Sequence, residues 1–101
     1  MLFAVHCGIY GTNENAYETE AKFRGLLSAS DSFVEMDNFW ILESDNNIEW
    51  WSKKIQDIVG VNPVHTFFIT EITGMDWSGF ISSKTRYWLQ QRNGGNEINL
   101  K

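Results

Sequence analysis

The sequence lacks the residues and segments that several classes of protein require. It has one cysteine, Cys7, and one proline, Pro63, among 101 residues. A lone cysteine cannot form an intramolecular disulfide, and no apolar run approaches the roughly 20 residues that span a bilayer. The first residues also lack the basic region and long apolar stretch of a signal peptide. We therefore expect a cytoplasmic protein with no membrane segment.

Basic residues are also few. Eight Lys and Arg stand against thirteen Asp and Glu, for a formal net charge of -5. A protein that follows a nucleic-acid backbone concentrates cations along one groove, and no segment of this chain does so. Nonspecific nucleic-acid binding is therefore disfavoured.

Apolar and aromatic residues are abundant instead. Hydrophobic residues make up 43% of the chain and aromatic residues 15%. This composition excludes a disordered chain and leaves more apolar surface than a small monomer easily hides. We expect a homodimer, because a second copy would bury the surplus.

The hydrophobic pattern predicts a single α+β domain over residues 1–92, followed by a polar tail over 93–101. Periods of two residues predict strands and periods near 3.6 predict helices. The turn Asp37-Asn38 is typical of a two-residue hairpin, and Asn15 and Asn46 are candidate helix caps. The predicted elements are a strand at 2–7, a helix at 15–28, strands at 32–36 and 39–44, a helix at 47–59, a strand at 64–72 and a helix at 80–91.

This order is that of a ferredoxin-like βαββαβ antiparallel sheet with an appended C-terminal helix. We expect the helices to cover one face of the sheet, with Phe80 buried in the last helix. The first and fourth strands are apolar on both faces, which favours sheet-to-sheet dimerisation. The tail either is mobile or adds a strand from 97–100 across the dimer.

Three segments resemble the small Cas2-like proteins, and most of all the group labelled the SinR-like family. They are FWILESD at 39–45, FFITEITG at 67–74 and WSGF at 77–80, followed by Trp88 in the last helix. The resemblance covers residues 2–92 in element order. It implies a ferredoxin-like homodimer with a link to nucleic acid.

The resemblance also implies a catalytic Asp at the end of the first strand, and this chain has none there. The matching stretch runs from Val5 to Tyr10 as VHCGIY. Mg²⁺ prefers oxygen ligands, so His6 and Cys7 are poor substitutes for a carboxylate. We therefore expect a catalytically inactive member, a binding protein rather than an enzyme, with no cofactor and no metal.

Candidate ligand-binding residues follow from the loop after the first strand and from the tryptophans. Backbone N–H groups of the loop at 8–13 can receive a phosphate, and tryptophan rings can stack on bases. A plain connection and core packing explain the same residues. His6 and Cys7 are neighbours on a strand and point to opposite faces, so they cannot act together. The candidates are His6, Tyr10, Gly11, Asn13, Trp40 and Trp77.

The sequence thus predicts a catalytically inactive Cas2-like homodimeric binding protein. Its small size and acidity suit a phage or mobile-element protein that inhibits a defence protein or sequesters a nucleotide signal. The alternative is a metal-dependent Cas2-like nuclease in which dimer symmetry brings together other carboxylates, such as Asp37 or Asp76.

Overall fold

The computed structural model describes residues 1–92 and 97–98 as a small α+β domain with a four-stranded antiparallel sheet and three helices. This arrangement is consistent with the predicted ferredoxin-like fold. The elements are β1 (Leu2–Gly8), α1 (Glu14–Leu27), β2 (Ser32–Met36), β3 (Phe39–Glu43), α2 (Ile48–Val59), β4 (Thr66–Glu71) and α3 (Ser83–Gln90).

Strand β1 lies in the interior of the sheet, whose strands are ordered β2-β3-β1-β4. Every neighbouring pair is antiparallel. His6 of β1 lies opposite Phe39 of β3 on one side and Phe68 of β4 on the other. This register decides which side chains share a face, because alternate residues of a strand point to opposite sides.

Short polar residues define the turns and helix starts. Asp37 and Asn38 have positive φ angles of 39° and 58°, as the hairpin prediction requires. The caps lie earlier or later than predicted. Asn13, rather than Asn15, accepts the Ala16 N–H at 2.9 Å, and Asn47, rather than Asn46, accepts the Trp50 N–H. Each true cap has an extended backbone that lets its side chain reach back to the first turn.

Helices α1 and α2 cover one face of the sheet, here called the first face. The core between them contains several fully buried side chains, among them Trp51, which has no exposed surface. Large apolar residues from both layers meet there, as two packed layers of secondary structure require. Its buried members are Phe3, Val5, Cys7, Phe23, Leu27, Trp40, Leu42, Trp51, Ile55 and Val59.

Helix α3 packs on the opposite face, here called the second face, so the prediction that the helices share one face is wrong. Leu89 of α3 is buried against Val34 of β2 and Ile41 of β3. Trp88 Nε1 donates to Ser32 Oγ at 2.8 Å, and the Arg92 guanidinium lies 3.8 Å from the centre of the Trp88 ring. These contacts hold α3 over β2 and β3.

The predicted start of the last helix, with Phe80 buried inside it, is also wrong. The helix begins at Ser83, because the Ser82 side chain accepts the Thr85 N–H and caps the first turn. Phe80 lies in the connection before it and is fully exposed to solvent. Ile81 also lies before the helix, and it packs, half-buried, against the cluster that Leu89 forms with Val34 and Ile41.

Part of the tail lies against the chain itself. The Ile98 N–H donates to the Trp77 carbonyl at 2.6 Å, and Glu97 accepts from Arg86 Nε at 3.1 Å. Trp77 and Glu97 form an isolated parallel bridge. The rest of the tail, residues 93–96 and 99–101, lies outside the described residues. The predictions of a strand at 97–100 and of a mobile tail therefore concern residues that are mostly not described.

The two adjacent tryptophans of α2 give a direct test of this core. Replacing Trp51 by Ala should lower the free energy of unfolding by about 3–5 kcal/mol, as for other large-to-small changes of a buried aromatic side chain. Trp50 is half-buried at the edge of the same core, so Trp50→Ala should cost clearly less. Urea unfolding of both variants measures the difference, and equal losses would contradict the described core.

Candidate functional site

The loop after β1 is attached to the start of β4 by Tyr10 and His65. The Tyr10 N–H donates to His65 Nδ1 at 3.1 Å. The Tyr10 ring folds back over Gly8, where a Cβ would lie 2.6 Å from the Tyr10 hydroxyl and 2.8 Å from Thr66 Oγ1. A side chain at position 8 would therefore require the Tyr10 ring and the Thr66 hydroxyl to move.

The hydrogen bond from Tyr10 also fixes the tautomer of His65. A ring nitrogen that accepts from a backbone N–H carries no proton, so in the neutral ring the proton is on Nε2. His65 consequently offers an N–H donor at its second nitrogen. The residue is half-buried at the wall of a cavity.

This cavity, here called the loop cleft, has a volume of about 290 Å³ and lies between the β1–α1 loop, the first half of α1 and the segment before β4. Its lining is mostly polar and includes Tyr10, Asn13, Glu18, Lys22, Asn62 and His65. Lys22 is paired with Glu18 at 3.5 Å, but both side chains are largely exposed. Such a pair is weak, so Lys22 can turn toward an anionic ligand.

A smaller cavity of about 150 Å³ lies beside the end of β1 and brings His6, Tyr10 and Trp40 together. Trp40 contributes little open surface to it, because the side chain is buried with its ring 4.9 Å from that of Phe23. Trp40 is thus mainly a core residue, and a base could not stack on its face without displacing Phe23.

Arg24 and Glu35 close the outer side of Trp40. Arg24 Nη1 and Nη2 each donate to the Glu35 carboxylate at 3.1 Å, and this bonding lowers the pKa of Glu35. Within the described residues, the buried Trp40 N–H makes no hydrogen bond of good geometry. It nevertheless lies close enough to the Glu35 carboxylate to contribute to the lowered pKa of Glu35. The pair ties α1 to β2 rather than forming a catalytic site.

Trp77 lies on the other side of the molecule, at the second-face groove. This groove of about 280 Å³ lies between the sheet and the connection from β4 to α3. Its lining is almost entirely apolar and includes Ala4, Met36, Phe39, Trp77 and Ile81, with Asp76 at the edge. Trp77 therefore does not join the other candidates.

Beside the groove, an apolar row crosses the part of the second face that α3 leaves open. The register places Met36, Phe39, His6 and Phe68 next to one another on four successive strands. Phe68 is 66% exposed and His6 is exposed, while Met36 and Phe39 are half-buried. These four residues are here called the open row.

The six candidate residues therefore occupy three places. Tyr10 and Asn13 line the loop cleft, His6, Tyr10 and Trp40 line the smaller cavity, and Trp77 lines the groove. Gly11 has a φ angle of 112°, which glycine adopts readily, and lies in the loop beside α1. Gly11 therefore allows the backbone conformation of this loop.

Sequence reasoning missed Lys22 and His65. Both are hidden among ordinary helix-face and turn residues in the sequence. The antiparallel pairing of β1 with β4 brings Gly8 opposite Thr66, so His65 necessarily lies near the loop after β1. Working through the strand pairing of the predicted fold would have found it.

Cys7 is buried, whereas the aspartates named as candidate metal ligands are exposed. Cys7 is buried on the first face, away from exposed His6, and burial followed by the charge of Glu20 raises the pKa of its thiol to about 11. Asp37, Asp45 and Asp76 are exposed at separate turns. Within the part of the chain that the structure describes, no three His, Cys, Asp or Glu side chains form a group able to hold a metal.

No family model, curated protein or solved structure matches the chain. Among the described residues, none of the helices is both long and apolar enough to cross a membrane.

The state of Cys7 can be tested by thiol labelling. At about pH 8 an ordinary thiol of pKa about 8.5 is partly ionised and reacts with iodoacetamide. Cys7 should react slowly in the folded protein and fast in urea. Between pH 9.0 and 11 the thiol ionises in the unfolded chain but stays protonated in the folded one, because burial raises its pKa. The free energy of unfolding should therefore fall as the pH rises through this range. Cys7→Ala should lack that fall, and fast labelling of the native protein would contradict the described burial.

Proposed function

We propose that this chain is a non-catalytic, Cas2-like homodimeric binding protein of ferredoxin-like topology. The observation that carries the proposal is the open row on the second face. Its members are apolar or aromatic around His6, and Phe68 is 66% exposed although it lies in a strand. Surfaces of this kind mark protein interaction sites, and a second copy is the partner always present.

The strand arrangement supports the topology. Two βαβ-like halves place β1 and β3 in the middle of the sheet, with β4 and β2 at its edges. A ferredoxin-like fold has this order, and the Cas2-like resemblance implies the same fold. Helix α3 is an addition to the βαββαβ pattern, and it occupies part of the face that a sheet-to-sheet dimer would use.

The absence of catalysis is supported by the residues at the end of β1. The sequence there has no carboxylate, the one thiol is buried and its pKa is raised to about 11. A nucleophilic cysteine needs a lowered pKa and access to substrate. Binding remains the activity that the exposed surfaces can perform.

A dimer through the open row predicts a specific effect of Phe68→Ser. Light scattering after size exclusion should give the mass of two chains for the wild type and of one chain for this variant. Phe68 is largely exposed, so the variant should keep its fold and stability. Phe33→Ser is the matched control, because Phe33 lies in the other edge strand, is 43% exposed and faces the first face.

A wild-type mass of one chain at micromolar concentration would overturn the dimer. An unchanged dimer in Phe68→Ser would remove the open row from the interface.

The bound target follows from the same resemblance, which sets the protein in phage or mobile-element conflict. Of the two expected targets, a defence protein and a nucleotide signal, the loop cleft favours the nucleotide. The ammonium of Lys22 is a charged donor for phosphate, and the Nε2–H of His65 is a neutral one. Tyr10 lies beside them with an exposed aromatic ring. This cleft lies beside α1 and shares no residue with the open row, so a ligand there leaves the open row free.

Nucleotide binding in the loop cleft predicts a ligand-dependent melting temperature. A ligand that binds only the folded state raises stability by mass action. One member of a panel of mono-, di- and cyclic nucleotides should raise the melting temperature of the wild type and have a much smaller effect on Lys22→Ala. Lys53→Ala, on α2, is the control and should respond as the wild type does. No shift with any nucleotide would leave the defence protein as the target.

A further inference from the structure

The second-face groove is left open by the residues that the structure describes. Its volume of about 280 Å³ exceeds the about 150 Å³ at which an apolar cavity already binds a benzene ring. Met36 and Phe39, which belong to the open row, also line this groove. A second copy that covers the open row would therefore cover the groove as well.

Phe80 is an aromatic side chain without a place in its own subunit. It is fully exposed, and two hydrogen bonds hold the connection just before it. The Gly79 carbonyl accepts from Arg86 at 3.4 Å, and the Trp77 carbonyl accepts from the Ile98 N–H. In the single chain the ring therefore lies in solvent, between two residues that line the groove, Ser78 and Ile81.

Complementary charges flank the ring and the groove. Asp76 lies at the edge of the groove, and Lys84, four residues after Phe80, is in the first turn of α3. Both side chains are exposed, and neither forms an ion pair within residues 1–92 and 97–98. A ring that entered the groove of another copy would carry Lys84 toward that copy's acidic edge.

We propose that each subunit of the dimer inserts Phe80 into the second-face groove of its partner, with Asp76 opposite the partner's Lys84. This inference rests on the proposed homodimer and specifies its interface. A two-fold axis makes the exchange reciprocal, so one aromatic side chain and one ion pair are used twice. Aromatic side chains seated in apolar pockets are the residues on which interfaces most depend.

The role of Phe80 can be tested by measuring the dimer dissociation constant by analytical ultracentrifugation. Phe80→Ser should raise it at least tenfold, and urea unfolding should show little change in the stability of the monomer, because the ring is exposed in the single chain. Tyr17→Ser is the control: Tyr17 is 62% exposed on α1 and should leave the dimer unchanged.

The ion pair gives a test with rescue. Asp76→Lys and Lys84→Glu should each weaken the dimer, since each places like charges opposite one another. The double variant should restore it, because the pair is then reversed. Failure of the double variant to recover affinity would overturn the pairing of these two residues.

The outcomes separate this inference from the proposed function. A wild-type protein that is monomeric overturns both. A wild-type dimer that is unaffected by Phe80→Ser keeps the proposed function and overturns the exchange. If Phe80→Ser lowers the free energy of unfolding at every protein concentration but leaves the dimer dissociation constant unchanged, Phe80 fills the groove of its own subunit. This result also overturns the exchange.

Discussion

The structure depends on a sheet that has apolar residues on both faces, of which α1 and α2 cover the first and α3 covers part of the second. Phe3 and Val5 of β1 are buried on the first face, and Leu2 and Ala4 are buried on the second. At 1.5 Å per residue, α1 and α2 are about 21 and 18 Å long, whereas the eight residues of α3 span about 12 Å. Four strands are about 14 Å across, so α3 cannot cover the second face alone.

The position of α3 decides which half stays open. Trp88, hydrogen-bonded to Ser32 and stacked beneath Arg92, fixes the helix over β2 and β3. The open row and the groove lie along the border that remains, and the fully exposed Phe80 lies in the connection that leads to α3. The loop cleft is formed by different residues, so the ligand binding and the dimerisation that we propose would use separate surfaces of one small domain.

The local elements were predictable and the placement of α3 was not. The Asp37-Asn38 turn, the helical spacing around Trp51 and the alternation of β4 are encoded in short stretches, so their identities followed from the sequence. The side chosen by α3 depends on Trp88 reaching Ser32, 56 residues away, and the Gly-containing connection at 73–82 has no period that reveals its path. Phe80 fits the apolar spacing of the last helix, but the Ser82 cap, two residues later, starts the helix.

The candidate site was predicted in part: Tyr10 and Asn13 do line a cleft, but His65 required the pairing of β1 with β4, and Trp40 proved to be mainly a core residue.

The most direct test is an isotope-filtered NOE experiment on dimers mixed from ¹³C-labelled and unlabelled subunits. It detects contacts between copies of the chain and nothing within one copy. Contacts from the rings of Phe68 and Phe80 to methyl groups of Met36 and Ile81 in the other subunit are the predicted result. Contacts that involve only α1 and α2, or none at concentrations where the dimer is formed, would contradict an interface on the open half of the second face.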